Sequence, residues 1–137
     1  MTDSLSQPEV VDNIPKSITE DKLDQRTVEA YLLSLPNVVR NYPFGQAVAV
    51  YKSDDKMFAL IAETSDPLRL SLRCDPQLAV ILRDTYETIM PGYQLNKKNW
   101  NTIILTGQIE WAEIQGFIRH AYMLVTDKTG TIIESDD

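Results

Sequence analysis

The spacing of hydrophobic residues along the chain predicts three helices. In each of them apolar side chains recur every three or four positions, which places them on one face of a helix. Pro36 ends the first helix, and Asp75 followed by Pro76 is a typical helix start, because aspartate caps backbone N–H groups and proline needs no hydrogen-bond partner in the first turn. The predicted helices cover residues 25–35, the segment that begins at Pro76, and residues 111–126.

Between the helices the hydrophobic period shortens to two, as expected for strands. The clearest alternation predicts that Leu70 and Leu72 face inward, while Arg69, Ser71 and Arg73 face outward. Polar residues that separate neighbouring apolar runs predict two hairpins. The predicted strands are residues 47–51, 56–62, 69–73, 93–97 and 100–106.

These elements predict an α+β fold with the order α-β(3)-α-β(2)-α. Short connections favour a mainly antiparallel sheet of about five strands, with the helices packed on one face. Residues 1–16 lack periodicity and are predicted to form a flexible acidic arm. Residues 17–130 are predicted to form a single domain, and residues 131–137 an acidic tail.

The charge is concentrated at the two ends of the chain. The formal net charge is -7, yet residues 30–133 carry as many basic as acidic side chains. The low isoelectric point therefore says little about the surface of the domain. One cysteine excludes an internal disulfide, and neither a secretory signal nor an apolar run long enough to span a membrane is present. The sequence predicts a cytoplasmic protein without membrane association.

Catalytic and cofactor motifs are absent from the pattern. The five glycines form neither a dinucleotide fingerprint nor a phosphate-binding loop, and a single histidine with a single cysteine cannot build a metal cage. Cys74 precedes a helix start, a position that can activate a thiol, but a small packed side chain is the favoured interpretation over a Cys74–His120 dyad. No cofactor and no enzymatic activity are predicted.

The aromatic segment Tyr42–Gly45 has two interpretations. It is either a loop that faces a ligand or a rigid apolar lead into the first strand. The second is favoured, because aromatic side chains usually seal cores and Pro43 biases Tyr42 towards an extended conformation.

Residues 91–105, PGYQLNKKNWNTIIL, are more polar than a core strand requires. A turn at Pro91-Gly92, with a positive φ at Gly92, is predicted to lead into the second hairpin. Its tip is either a solvated turn whose lysines protect an edge strand, or a wing whose lysines meet phosphates while Trp100 or Tyr93 touches a sugar or base.

Four motifs in order, YPFG, KMFAL, LSLRCDP and PGYQLNKKNWNTIIL, resemble the MmcQ/YjbR family of small bacterial proteins. The resemblance runs from about Thr27 to Lys128 and implies an α-β(3)-α-β(2)-α fold with a double-wing motif and DNA binding. Gln94 and Asn99 stand where the family has histidines, which argues against imidazole chemistry there. The matched positions are Tyr42, Pro43, Phe44, Gly45, Lys56, Phe58, Cys74, Pro76, Pro91, Gly92, Tyr93, Asn96, Lys97, Trp100 and Asn101.

Two functions from different classes follow as expectations. The first is a nucleic-acid-binding module, for DNA, that uses a basic hairpin and one face of a strand. The second is a protein-binding adaptor, or a domain like a secretion chaperone, that uses an open sheet face or an apolar groove. The oligomeric state is left open. The residues predicted for nucleic-acid binding are Arg69, Arg73, Tyr93, Asn96, Lys97, Lys98, Trp100 and Asn101.

Overall fold

A computed structural model describes residues 24–92 and 95–126. The predicted acidic arm and tail lie outside these residues. The helices are α1 (Gln25–Ser34), α2 (Pro76–Thr85) and α3 (Trp111–Thr126). The strands are β1 (Val38–Asn41), β2 (Val48–Ser53), β3 (Lys56–Ala62), β4 (Arg69–Arg73), β5 (Ile89–Pro91) and β6 (Trp100–Ile104). Within this part of the chain no helix is long and apolar enough to cross a bilayer.

The start of α2 follows the predicted capping chemistry. Asp75 accepts hydrogen bonds from the backbone N–H groups of Gln77 and Leu78, both at 3.1 Å. Asp24 caps α1 in the same way, through the N–H of Thr27 at 3.0 Å, and these hydrogen bonds hold the pKa of Asp24 below its usual value. The three predicted helices are therefore confirmed.

The strands form one antiparallel sheet of six, in the order β1-β2-β3-β4-β6-β5. The α+β class and the alternation of helix and strand groups are confirmed, but four strands rather than three precede α2. The sequence gives no sign of β1, because this edge strand has only two apolar residues in a run of four.

The second hairpin differs from its prediction. The partner of β6 is β5, at Ile89–Pro91, and residues 95–97 are not extended. Asn96 explains the difference: its Oδ1 accepts from the N–H of Lys98 at 3.0 Å, and its carbonyl accepts from the N–H of Asn99 at 3.1 Å. These bonds fold the chain into a turn where a strand was predicted.

The sheet has a different core on each face. On one face all three helices pack, and α1 and α3 cover a large cluster that contains Phe58, Leu70 and Ile103. On the opposite face, which we call the open face, Val50, Leu60 and Trp100 form a smaller cluster. The predicted packing of the helices on one face is confirmed.

Candidate nucleic-acid interface

Trp100 is the centre of the smaller core and is not available to a ligand. Its side chain is 2% exposed and packs on Val50 and Leu60. The guanidinium carbon of Arg73 lies 5.3 Å from the centroid of the Trp100 rings, a cation–π contact. The prediction that Trp100 touches a sugar or base is therefore wrong for this conformation, because the ring is enclosed.

Arg73 points to the open face, as the alternation of β4 predicts, but it does not reach solvent. It is 7% exposed, and its Nε donates a hydrogen bond to the Met57 carbonyl at 3.3 Å. The cross-strand neighbour of Arg73 is Trp100, whose large side chain covers it. Arg73 therefore stabilises the smaller core instead of presenting a charge to phosphate.

Asn101 lies on the helix-covered face and connects α2 to the sheet. Its Nδ2 donates to the Ala79 carbonyl at 3.2 Å, and its Oδ1 accepts from Arg83 Nη1 at 2.8 Å. The same guanidinium nitrogen donates to the Lys97 carbonyl at 3.3 Å. Asn101 is buried, so its predicted contact with nucleic acid is replaced by a structural role.

The turn at residues 95–99 keeps the predicted basic character. Lys97 and Lys98 are exposed, and Asn96 is exposed while its side chain stabilises the turn. Tyr93 lies outside the described residues. Of the predicted set, the two lysines are thus the charged groups that this turn presents to solvent.

Gly92 is required for close packing and not for a positive φ as predicted. The positive-φ glycines of the described chain are Gly45 and Gly107. A Cβ on Gly92 would lie 2.7 Å from the Trp100 Cβ, closer than two carbon atoms can approach.

We expect Gly92→Ala to destabilise the protein by about 1–2 kcal/mol, because the added methyl must push β5 away from β6. Gly116→Ala is the matched control: its new Cβ meets Arg119 at an ordinary 3.6 Å, and alanine favours the helix by about 0.5–1 kcal/mol. Chemical denaturation of both variants measures the two effects, and equal signs would contradict the packing argument.

Arg69 is separated from the basic turn. In the register of β4 and β6, Arg69 faces Ile104 whereas Arg73 faces Trp100. Arg69 therefore lies about 13 Å along the strand from Arg73, and the turn lies beyond Arg73. Arg69 is exposed, but it belongs to the opposite end of the sheet.

Two further lysines reach the same end of the sheet as Lys97 and Lys98. Lys52 and Lys56 flank the turn of the β2–β3 hairpin, where Lys52 faces Met57 and Ser53 faces Lys56. The hydrogen bond from Arg73 to the Met57 carbonyl places this turn at the Trp100 end of β4. Since only β4 separates β3 from β6, the two strands are about 10 Å apart.

No local motif signals this convergence, because it follows from the strand order. In an antiparallel sheet the turn after β2 and the segment before β6 must lie at the same end if β3 and β6 both flank β4.

We call Lys52, Lys56, Lys97 and Lys98 the basic end of the sheet. Lys52 is half-buried, and the other three are exposed. Asp54 and Asp55, at positive φ in the same hairpin turn, reduce its net charge.

Cys74 and His120 do not form an activated pair. Burial raises the pKa of the Cys74 thiol to about 12, so thiolate is scarce at neutral pH. His120 Nε2 accepts a hydrogen bond from the Asp75 N–H at 3.1 Å, and burial lowers the pKa of His120. The adjoining cavity, which Leu78 and Phe117 help to line, has a volume of about 10 Å³, enough for one water. The described residues contain no cluster that could hold a metal ion.

The Tyr42–Gly45 segment leads into β2, as the favoured interpretation predicts, but it is exposed, so the expectation that its aromatic side chains seal the core is wrong. The Gly45 N–H donates to the Tyr42 carbonyl at 3.3 Å and closes a turn with Phe44 near its tip. Phe44 is 64% exposed. The Tyr42 hydroxyl donates to Oε2 of Glu63, the residue that follows β3, at 3.0 Å, and this hydrogen bond fixes the turn next to the end of that strand.

Comparison with known proteins identifies the family. The YjbR family model matches residues 33–124. The chain is 33% identical to the uncharacterized protein YbdF of Escherichia coli O157:H7 over 101 residues, which are 74% of this chain and 83% of YbdF. It is 26% identical to the uncharacterized protein YjbR of Escherichia coli K12 over 92 residues, which are 67% of this chain and 78% of YjbR.

Solved structures share the fold. Protein DR2400 of Deinococcus radiodurans superposes with a TM-score of 0.75 at 35% identity, over 82% of this chain and 85% of DR2400. A Pseudomonas syringae protein, structural-genomics target PsR293, superposes with a TM-score of 0.65 at 25% identity, over 75% of this chain and 99% of that protein. The matches in sequence and structure agree with the predicted resemblance, and the chain belongs to the YjbR family.

Proposed function

We propose that the protein is a non-catalytic cytoplasmic module that binds the phosphate backbone of nucleic acid, DNA in particular, through the basic end of the sheet. The observation that carries this proposal is the convergence of two lysine-bearing turns at the same end of one sheet. Lysine ammonium groups on two neighbouring projections can meet successive phosphates, and such contacts position a protein on nucleic acid.

The buried residues of the predicted site support the lysines in this proposal. Trp100 and Arg73 anchor the start of β6 on the open face, and Arg83 holds the Lys97 carbonyl from the other face. A turn held from both sides presents its lysines in a defined position, which lowers the entropic cost of binding.

Contact through lysines alone gives little discrimination between base sequences. The affinity is modest, because the domain has nearly balanced charge and Asp54 and Asp55 lie within the basic end. We expect dissociation constants in the micromolar range at low salt, typical of binding through a few phosphates.

A salt-dependent titration against duplex and single-stranded DNA tests the proposal. With three or four phosphates neutralised, the logarithm of the association constant should fall with the logarithm of salt concentration at a slope of about -3 to -4. Lys97→Ala with Lys98→Ala should flatten that slope by up to about 2 units, and Lys52→Ala with Lys56→Ala should have a similar effect.

Arg69→Ala is the control, since it removes one exposed positive charge from the opposite end of the sheet. If Arg69→Ala flattened the salt slope as much as replacement of one lysine does, binding would depend on the overall charge of the protein and not on a defined site. Absence of salt-dependent binding at tens of micromolar protein would remove the proposal, and the protein-binding adaptor would take its place.

A further inference from the structure

His120 is the single histidine of the chain, and it connects two helices. It lies in α3, and its Nε2 accepts a hydrogen bond at 3.1 Å from the N–H of Asp75, the N-cap residue of α2. A ring nitrogen accepts a hydrogen bond only when it carries no proton, so this contact requires the neutral imidazole. The start of α2 is therefore linked to α3 in one protonation state of His120.

The cavity beside His120 is a poor environment for a positive charge. The imidazole is half-buried and lines this cavity together with Leu78, Ile103 and Phe117. The thiol of Cys74, which lines it as well, stays neutral because burial raises its pKa to about 12. An imidazolium there would lose hydration without gaining a hydrogen-bond acceptor.

The carboxylate of Asp75 acts in the opposite direction, because its negative charge favours the imidazolium. This carboxylate already accepts hydrogen bonds from two backbone N–H groups in the first turn of α2. Burial outweighs its charge, and the pKa of His120 lies below its usual value.

The other charged groups around His120 are guanidinium groups. Arg73 lines the cavity from β4, and Arg83 of α2 donates to Asn101, which lines the cavity from β6. Arg119 is the preceding residue of α3. A guanidinium has no acceptor for the N–H of an imidazolium, so none of the three compensates for protonation.

We propose that this hydrogen bond is a pH-sensitive switch: protonation of His120 in mild acid releases the Asp75 N–H and separates the start of α2 from α3. The first backbone bond of the helix, from the Ala79 N–H to the Asp75 carbonyl at 2.8 Å, lies directly beside the released group. The bond from Asn101 to the Ala79 carbonyl does not titrate and remains. Acid therefore loosens the first turn of α2 while the helix stays attached to β6.

The direction of the pH dependence follows from proton linkage. The pKa of His120 is lowered in the folded state, so the unfolded chain, with a histidine pKa of about 6.5, binds the proton more strongly. The contribution of neutral His120 to stability is therefore complete above about pH 6.5. It is lost as the pH falls from there towards the pKa of the folded state.

Chemical denaturation of the full chain at about pH 7.5 and about pH 5.5 tests this inference. The folding equilibrium constant of the wild type should fall several-fold between them, with a limit of about tenfold. His120→Gln is the matched variant, because an amide oxygen accepts an N–H and does not titrate. It should lack this loss, since no other side chain of the protein has its ordinary pKa in this range.

Nuclear magnetic resonance adds a readout that needs no variant. The ring-proton signals of His120 give its folded-state pKa directly. Amide hydrogen exchange of Gln77, Leu78 and Ala79 should be faster in the wild type than in His120→Gln at the same acidic pH, and equal in the two proteins at neutral pH.

Asp75→Asn separates the backbone N–H from the carboxylate, because asparagine keeps the capping function and removes the charge. The loss of stability in mild acid should persist in this variant. A wild type that gains stability in mild acid, while Asp75→Asn does not, would show that the imidazolium pairs with the carboxylate and would overturn the inference.

Titration of His120 in the folded protein at or above about pH 6.5 would also overturn it, since the folded state would then not favour the neutral imidazole. Equal pH dependence of the wild type and His120→Gln would do the same. DNA does not enter any of these measurements, so this inference and the proposed function fail separately.

Discussion

Trp100→Ala is expected to lower the free energy of unfolding by about 3–5 kcal/mol, the usual loss for a fully buried aromatic side chain. Trp100 supplies most of the volume of the smaller core, and its removal leaves a cavity beside Val50 and Leu60. The Arg73 guanidinium also loses the ring that it packs against. Urea denaturation followed by circular dichroism measures the change.

Phe44→Ala is the control for this prediction, because it removes another large aromatic residue at an exposed position. Its expected effect on stability is within about 0.5 kcal/mol. A residue that serves mainly to contact nucleic acid would behave differently from a core residue: Trp100→Ala would then weaken DNA binding and leave stability near that of the wild type. That result would contradict the structural role assigned to Trp100.

Asn101→Ala is expected to destabilise the protein by about 2–3 kcal/mol, because it removes two hydrogen bonds in a buried setting and leaves the Arg83 guanidinium without one acceptor. The helix α2 then loses a direct connection to β6. Thermal and chemical denaturation together check the magnitude.

Asn96→Ala provides the comparison within the same segment. Asn96 is exposed and stabilises a local turn, so its replacement should cost less than about 1 kcal/mol. If the two asparagine variants had equal stability, the connection between α2 and β6 would contribute little, and the burial of Asn101 would need another explanation.

The helices and the central strands could be predicted from the sequence because their signals are local. The segments at α3, β3 and β4 have the predicted bounds, since each combines a clear hydrophobic period with well-defined ends. β1 could not be predicted, because a short edge strand is held by its neighbour and not by its own pattern. The partner of β6 was misplaced because Asn96 forms a turn whose chemistry outweighs the alternation around it.

For the candidate site, the sequence was limited in a different way as a basis for prediction. The direction of the Arg73 side chain follows from the alternation of β4. Its burial depends on the residue opposite it on the neighbouring strand, and the strand register shows that this residue is Trp100. Likewise, Lys52 and Lys56 join Lys97 and Lys98 through strand order, which no local motif contains. Residue types at a site could thus be predicted, whereas their grouping required the topology.

The hydrogen bonds of Arg83 connect α2 to the turn at residues 95–99. One guanidinium holds both the Lys97 carbonyl and the Asn101 side chain, so displacement of the turn and loosening of the helix share the same contacts. Thermodynamic linkage makes this relation reciprocal. A ligand that fixes the turn would stabilise α2, and loosening of α2 would weaken binding of the ligand by the same free energy. If nucleic acid binds at this turn, as proposed, a replacement in α2 that removes these Arg83 hydrogen bonds would therefore lower the affinity without touching the ligand.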